Sequence, residues 1–292
     1  MKSKFLIPVF ILLGLSCFLV SCEDVIDIKL DKGASQLAVD AVIIVNDGPQ
    51  MVRLTKTTPY FENGVSAPGV SGALVGLTSS KGQLYLFTED PSKPGNYMST
   101  KPIEGTTNEI FYLGVKHEGQ SFVAASVLVR GTVIDSVYQD NRPAEFGNKA
   151  GSYIGLIAYD SVGVGDFCWL RYSLNQKADL RYNRLGAAFP ADAALSPGAA
   201  DGLEFIWPIR NSINADDGYL IGDTIAMELL SIDPEQWRFL KEMDIQLNNT
   251  GLFARPISNV RGNVINIDST SKTIAVGCFG MARVSRAGIK IK

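Results

Sequence analysis

From residue 36 onward the chain is dominated by a hydrophobic period of two. Successive side chains of a strand point to opposite faces, so this alternation marks half-buried β-strands. The pattern predicts strands at QLAVDAVIIVN (36–46), MVRLTKT (51–57), GALVGLTSS (72–80), QLYLFTED (83–90), NYMST (96–100), EIFYLGVKHEG (109–119) and SFVAASVLVR (121–130). The breaks between them, such as DGPQ and PSKPG, carry the Gly, Pro and Asp of turns. Seven short strands in under a hundred residues are the expectation for an immunoglobulin-like β-sandwich over residues 34–131.

The second half, residues 132–292, predicts a further antiparallel β-rich domain. Its strands fall at SYIGLIAYDS (152–161), FCWLRYSLN (167–175), LEFIWPIR (203–210), DTIAMELLSI (223–232), GNVINID (262–268), KTIAVGCFGMARVS (272–285) and AGIKIK (287–292). The Ala-, Gly- and Pro-rich stretch 184–202 has no period and reads as a long loop. One helix is predicted near 233–248. Asp233 precedes Pro234, with Gln236 three residues after the cap, and Trp237, Leu240, Met243 and Leu247 share one face. The fold class is therefore mainly β: a sandwich, then a β-rich domain with one packed helix.

The N-terminus follows a different rule. Lys2 and Lys4 precede an almost unbroken apolar run from Phe5 to Val20, too short for a bilayer span and matching a secretory signal. Leu19-Val20-Ser21-Cys22 resembles a bacterial lipobox, which predicts removal of residues 1–21 and acylation of Cys22. Cys17 has Gly14 where that pattern wants a branched apolar residue. Glu23, Asp24, Asp27 and Asp31 make residues 22–33 an acidic tether. Cys168 and Cys278 are left, either as a pair or as buried thiols.

Charge narrows the partners. With 27 Lys and Arg against 30 Asp and Glu the net charge is −3, and loss of the leader removes two lysines. Nucleic acid, which needs a basic face, is an unfavoured partner.

Candidate chemistry is sparse. The single histidine, His117, reads as a turn residue, so neither a Ser-His-Asp triad nor a His-rich zinc site can be assembled elsewhere. GVGDF (163–167) lacks the third glycine of a dinucleotide fingerprint, and NADDGY (214–219) has its glycine too early for an EF-hand loop. Glu204, Asp216, Asp217 and Glu228 are the carboxylates a glycan hydrolase would draw on. Trp207, beside Pro208 and so near a strand edge, is the candidate ligand-stacking aromatic. Ser136, Ser161, Thr224 and Ser269 each follow an Asp and precede a methyl-bearing residue. This resembles an O-glycosylation signal of exported Bacteroidota proteins, and is equally good turn chemistry.

The order of these features resembles the Bacteroidota lipoproteins of domain-of-unknown-function family 4249. The resemblance rests on the cysteine with its acidic tether, LAVDAVI, VRLTKTTPY, VSGALVGL, IDSVY (134–138), PEQWRFLKEMDIQLNNTGLFARPISNVRGNV and AVGCFGMARVS. It implies a lipid-anchored protein of the outer membrane, facing the cell exterior. It further implies a non-enzymatic accessory, without cofactor, that captures or gates nutrients for a TonB-dependent β-barrel transporter, with a glycan or peptide as ligand. A structural or adhesive surface module is the alternative, and a glycan hydrolase ranks behind both.

Overall fold

The computed structural model describes residues 34–59, 66–144, 149–159, 161–163, 165–175, 187–188, 202, 204–207, 218–247, 249 and 259–292. Its first seven strands are β1 (Leu37–Ile44), β2 (Met51–Lys56), β3 (Leu74–Ser79), β4 (Leu84–Glu89), β5 (Asn96–Ser99), β6 (Ile110–His117) and β7 (Gln120–Val127). Their lateral order is 1-2-5-4-3-6-7. With the strands lettered A to G this is A-B-E-D followed by C-F-G, the immunoglobulin-like arrangement, joined through the β3–β4 hairpin into one curled sheet. The alternation seen in the sequence places Val39, Leu54, Leu77, Phe111 and Leu113 in one core. Tyr97 is buried there too, its hydroxyl accepting from Ala73 N–H (2.9 Å) and donating to Val70 O (2.8 Å), so the phenol costs the core no unpaired polar group.

The rest comprises β8 (Ile134–Arg142), β9 (Gly151–Tyr159), β10 (Cys168–Leu174), β11 (Ala187–Ala188), β12 (Glu204–Trp207), β13 (Thr224–Ile232), α1 (Pro234–Leu247), β14 (Ile265–Asn266) and β15 (Ala275–Lys290). Strands β12, β9 and β8 form a small sheet in that order, while β11, β10 and β13 extend the large one. A second core, with Ile154, Leu156, Leu170, Ile225 and Leu229, lies between small and large sheets. Among the described residues the fold is mainly β with one helix, as the periodicity predicts.

Strand β15 links the halves. Its first part runs parallel to β1, from Leu37↔Ala275 to Ile44↔Ala282. Its second part runs antiparallel to β13, from Ile232↔Ala282 to Thr224↔Lys290. Through it Phe279 and Met281 enter the first core, and Ser35–Lys292 forms one compact unit.

The opposite face of β1 and β15 carries α1. Trp237 and Leu240 pack against Val42, Ile44, Ile232 and Val284, with Phe167 edge-on to the Trp237 ring at 5.4 Å. The helix begins as the sequence predicts: Gln236 N–H donates to Asp233 Oδ1 (2.8 Å), and Pro234 occupies the first position, where no N–H is needed. Gln236 departs from the capping-box expectation. Its amide is buried over Gly280, where a Cβ would fall 1.9 Å from Oε1.

Candidate functional site

The immunoglobulin-like set ends at β7, whose outer edge meets β15. Strand β14 covers β7 only at Phe122 and Val123. Beyond it, side chains replace the ladder. Asn263 Nδ2 donates to Ala125 O (3.0 Å) and Phe279 O (2.7 Å), and its Oδ1 accepts from Phe279 N–H (2.9 Å). Ser126 Oγ accepts from Met281 N–H (2.8 Å) and donates to the Asp233 carboxyl. Backbone groups along the seam, among them the buried Met281 N–H, are thus satisfied by side chains, and Asp233 ties the seam to the helix start.

Beside this seam lies a cleft of about 760 Å³, within the range of small-molecule sites. One wall is the outward face of β6 and β7 with β14: Tyr112, Val123, Ala125 and Ile265. The other is the first turns of α1 and the chain at 261–263: Glu235, Arg238, Arg261 and Asn263. Gly262 lets this chain lie directly on β15, since a Cβ there would sit 1.7 Å from Gly277 O.

The two arginines differ in state. Arg238 is held by Glu235 (3.0 Å), Glu242 (3.1 Å) and the Arg261 carbonyl (3.2 Å). Arg261 is exposed, and among the described residues no carboxylate pairs with it. Two guanidiniums, one carboxylate, an amide and a phenol around an apolar floor suit ligand holding.

The apolar wall continues across the sheet. Leu86, Gly76, Gly114, Val123 and Ile265 stand in one cross-strand row, with Leu84, Thr78, Tyr112 and Ala125 in the next. Leu74, Leu84, Leu86 and Ile265 are more than half exposed, with Leu74 at 71%. The paired glycines form a trough between Leu86 and Val123, because neither side chain stands up from the sheet.

Residues singled out from the sequence are dispersed. Cys22, Asp216, Asp217 and the stretch 189–201 lie outside the described residues. Trp207 ends β12 at the edge of the small sheet, away from the strands that line the cleft. Ser136 lies within β8, and Ser161 N–H donates to Asp166. Thr224 opens β13 and is exposed, as is Ser269, in the turn after Asp268. His117 closes β6, partly covered, with Nε2 3.4 Å from Glu118. Glu228 is committed to structure: it is buried between Arg171 (2.7 Å) and Arg286 (2.8 Å), and Arg286 also grips Asp47 (2.6 Å). Cys168 and Cys278 are both buried free thiols, and burial pushes the Cys278 thiol far up, with Asp233 adding to it.

The residues of the cleft escaped sequence reasoning, though part of their signal was present. In IFYLGV the alternation that buries Phe111, Leu113 and Val115 sends Tyr112 and Gly114 outward. Nothing local brings Arg261 and Asn263 to them.

The architecture is that of a β protein whose immunoglobulin-like half is sealed by its own C-terminal strand. The chain belongs to the family described as Domain of unknown function (DUF4249), whose model matches residues 23–287. Comparison with curated proteins gives no match.

Proposed function

We propose that this chain is a lipid-anchored accessory of a TonB-dependent outer-membrane transporter, which it serves by capturing or gating a nutrient without catalysing a reaction. The observation that carries this reading is the outward-facing row Leu86–Gly76–Gly114–Val123–Ile265, exposed at its two ends, running into the cleft of Arg238 and Arg261. A contiguous apolar surface that opens on charged groups is what a partner or ligand site needs. The lipobox at Cys22 and the acidic tether support placement at a membrane, on its exterior face.

The test is extraction of the tagged protein from native membranes in gentle detergent. Co-purification of a large β-barrel is expected, together with an acylated Cys22 as the first residue by mass spectrometry. A solitary protein would favour the structural or adhesive alternative, and a first residue other than Cys22 would remove the anchor on which the role depends.

A further inference from the structure

The geometry points to a ligand class for the cleft: a small monocarboxylate with an apolar or aromatic body, seated with its carboxylate on Arg261 and its body on Tyr112, Val123 and Ile265. This deepens the capture reading of the same site and rests on it.

Three observations converge. The first is charge. Arg238 is already engaged by Glu235 and Glu242, so it serves as a fixed wall rather than a spare cation. Arg261 has its carbonyl fixed by Arg238 and no carboxylate partner among the described residues, which leaves its guanidinium as the cleft's open anion receptor. A guanidinium and a carboxylate form two parallel N–H···O bonds, so the pairing carries direction as well as charge.

The second is the opposite wall. Tyr112 is 47% exposed and Ile265 61% exposed, both facing the charged wall. An apolar body placed there would remove area from water that the isolated fold leaves wet. The glycine trough at Gly76 and Gly114 continues this floor away from the charges, giving length for the body of a larger ligand.

The third is Glu235, which also lines the cleft. Its negative charge disfavours dianions such as phosphate monoesters more than a singly charged carboxylate.

Two sources present this chemistry, a free aryl or alkyl acid and the C-terminus of a short apolar peptide. Calorimetric titration of the full chain in detergent with 3-phenylpropionate, 3-phenylpropionamide, Ala-Phe and Ala-Phe-amide separates them. Either acid should bind with a Kd on the order of 0.1–1 mM, and its amide at least about tenfold more weakly. Tighter binding of Ala-Phe than of phenylpropionate assigns the peptide source, and the reverse assigns the free acid.

Arg261→Gln should lower affinity for the better acid about tenfold while leaving the urea midpoint unchanged, because the side chain is exposed. Glu235→Gln should raise it. Equal binding of acid and amide, an unaffected Arg261→Gln, or no heat from any probe up to roughly 10 mM would overturn the assignment. Because these titrations need no transporter, their failure would leave the membrane co-purification result standing by itself.

Discussion

Ser126, in the last strand of the immunoglobulin-like half, donates its hydroxyl hydrogen to the carboxyl of Asp233, which caps the only described helix. The same oxygen accepts from Met281 N–H at 2.8 Å. One hydroxyl therefore joins β7, β15 and α1.

Ser126→Ala removes an acceptor from a buried N–H and a donor from a buried carboxyl. Leaving such groups unsatisfied costs about 1–3 kcal/mol, more than the hydrogen bonds themselves contribute. The urea midpoint should fall by that equivalent at unchanged slope, which equilibrium denaturation followed by circular dichroism will read.

Asp233 also sets a pH dependence. Burial raises its carboxyl above the ordinary 3.8, against the opposing effect of the bonds from Ser126 and Gln236. A raised carboxyl stabilises the fold fully below the unfolded value, and that contribution is lost as pH rises through the folded one. Relative to Asp233→Asn, the natural protein should lose stability as pH rises from the ordinary 3.8 through the raised folded value. A difference that stays flat across that range in urea titrations would contradict this.

Glu109 has the opposite sign. Burial works to raise its carboxyl, but bonds from Thr106, Ser79 and Lys81 prevail and lower it to about 2. Its contribution is complete above the unfolded value of 4.5 and is lost as pH falls toward 2. Glu109→Gln should flatten the acid limb of the stability profile, measured by thermal melts from pH 2 to 6 at about half-unit steps.

Ion pairs separate by burial. Glu228→Gln leaves the buried Arg171 guanidinium beside a neutral amide, and breaking such a pair costs about 3–5 kcal/mol. Glu242→Gln removes an exposed helix pair with Arg238 and should cost at most about 1 kcal/mol. Similar losses in the two variants would show that solvent screens both sites alike.

The strands of the first half were legible because each has one wet and one dry face, so Val39, Leu77 and Phe111 announce themselves locally. Their immunoglobulin-like order followed from number and spacing. Strand β15 was legible only in pieces: the break between KTIAVGCFGMARVS and AGIKIK falls inside a continuous strand that changes partner at Ala282. Its parallel pairing with β1 joins residues as distant as Leu37 and Ala275, and no local pattern encodes so remote a neighbour. The helix was readable from Asp233 and Pro234, whereas the inward turn of Gln236 depended on Gly280 of another strand. The cleft shares this difficulty. Tyr112 follows from alternation, but Arg261 reaches it only through the contact of Gly262 with Gly277.

That same contact leads to a further prediction. Gly277 has φ +101° and a Cβ there would lie 2.0 Å from Val39 O, so Gly277→Ala meets both backbone strain and a backbone clash. A loss of at least about 2 kcal/mol is expected, with β1 and β15 exchanging amide hydrogens faster than β3 and β6 in hydrogen-exchange measurements.

The long last strand also dictates the timing of birth. Until residues 275–282 emerge from the ribosome, β1 lacks its neighbour and offers an open row of amides and carbonyls to any passing chain. The first half therefore cannot close until residues 275–282 are present. A polypeptide whose first strand waits for so remote a partner is ill suited to ripening domain by domain as it is made.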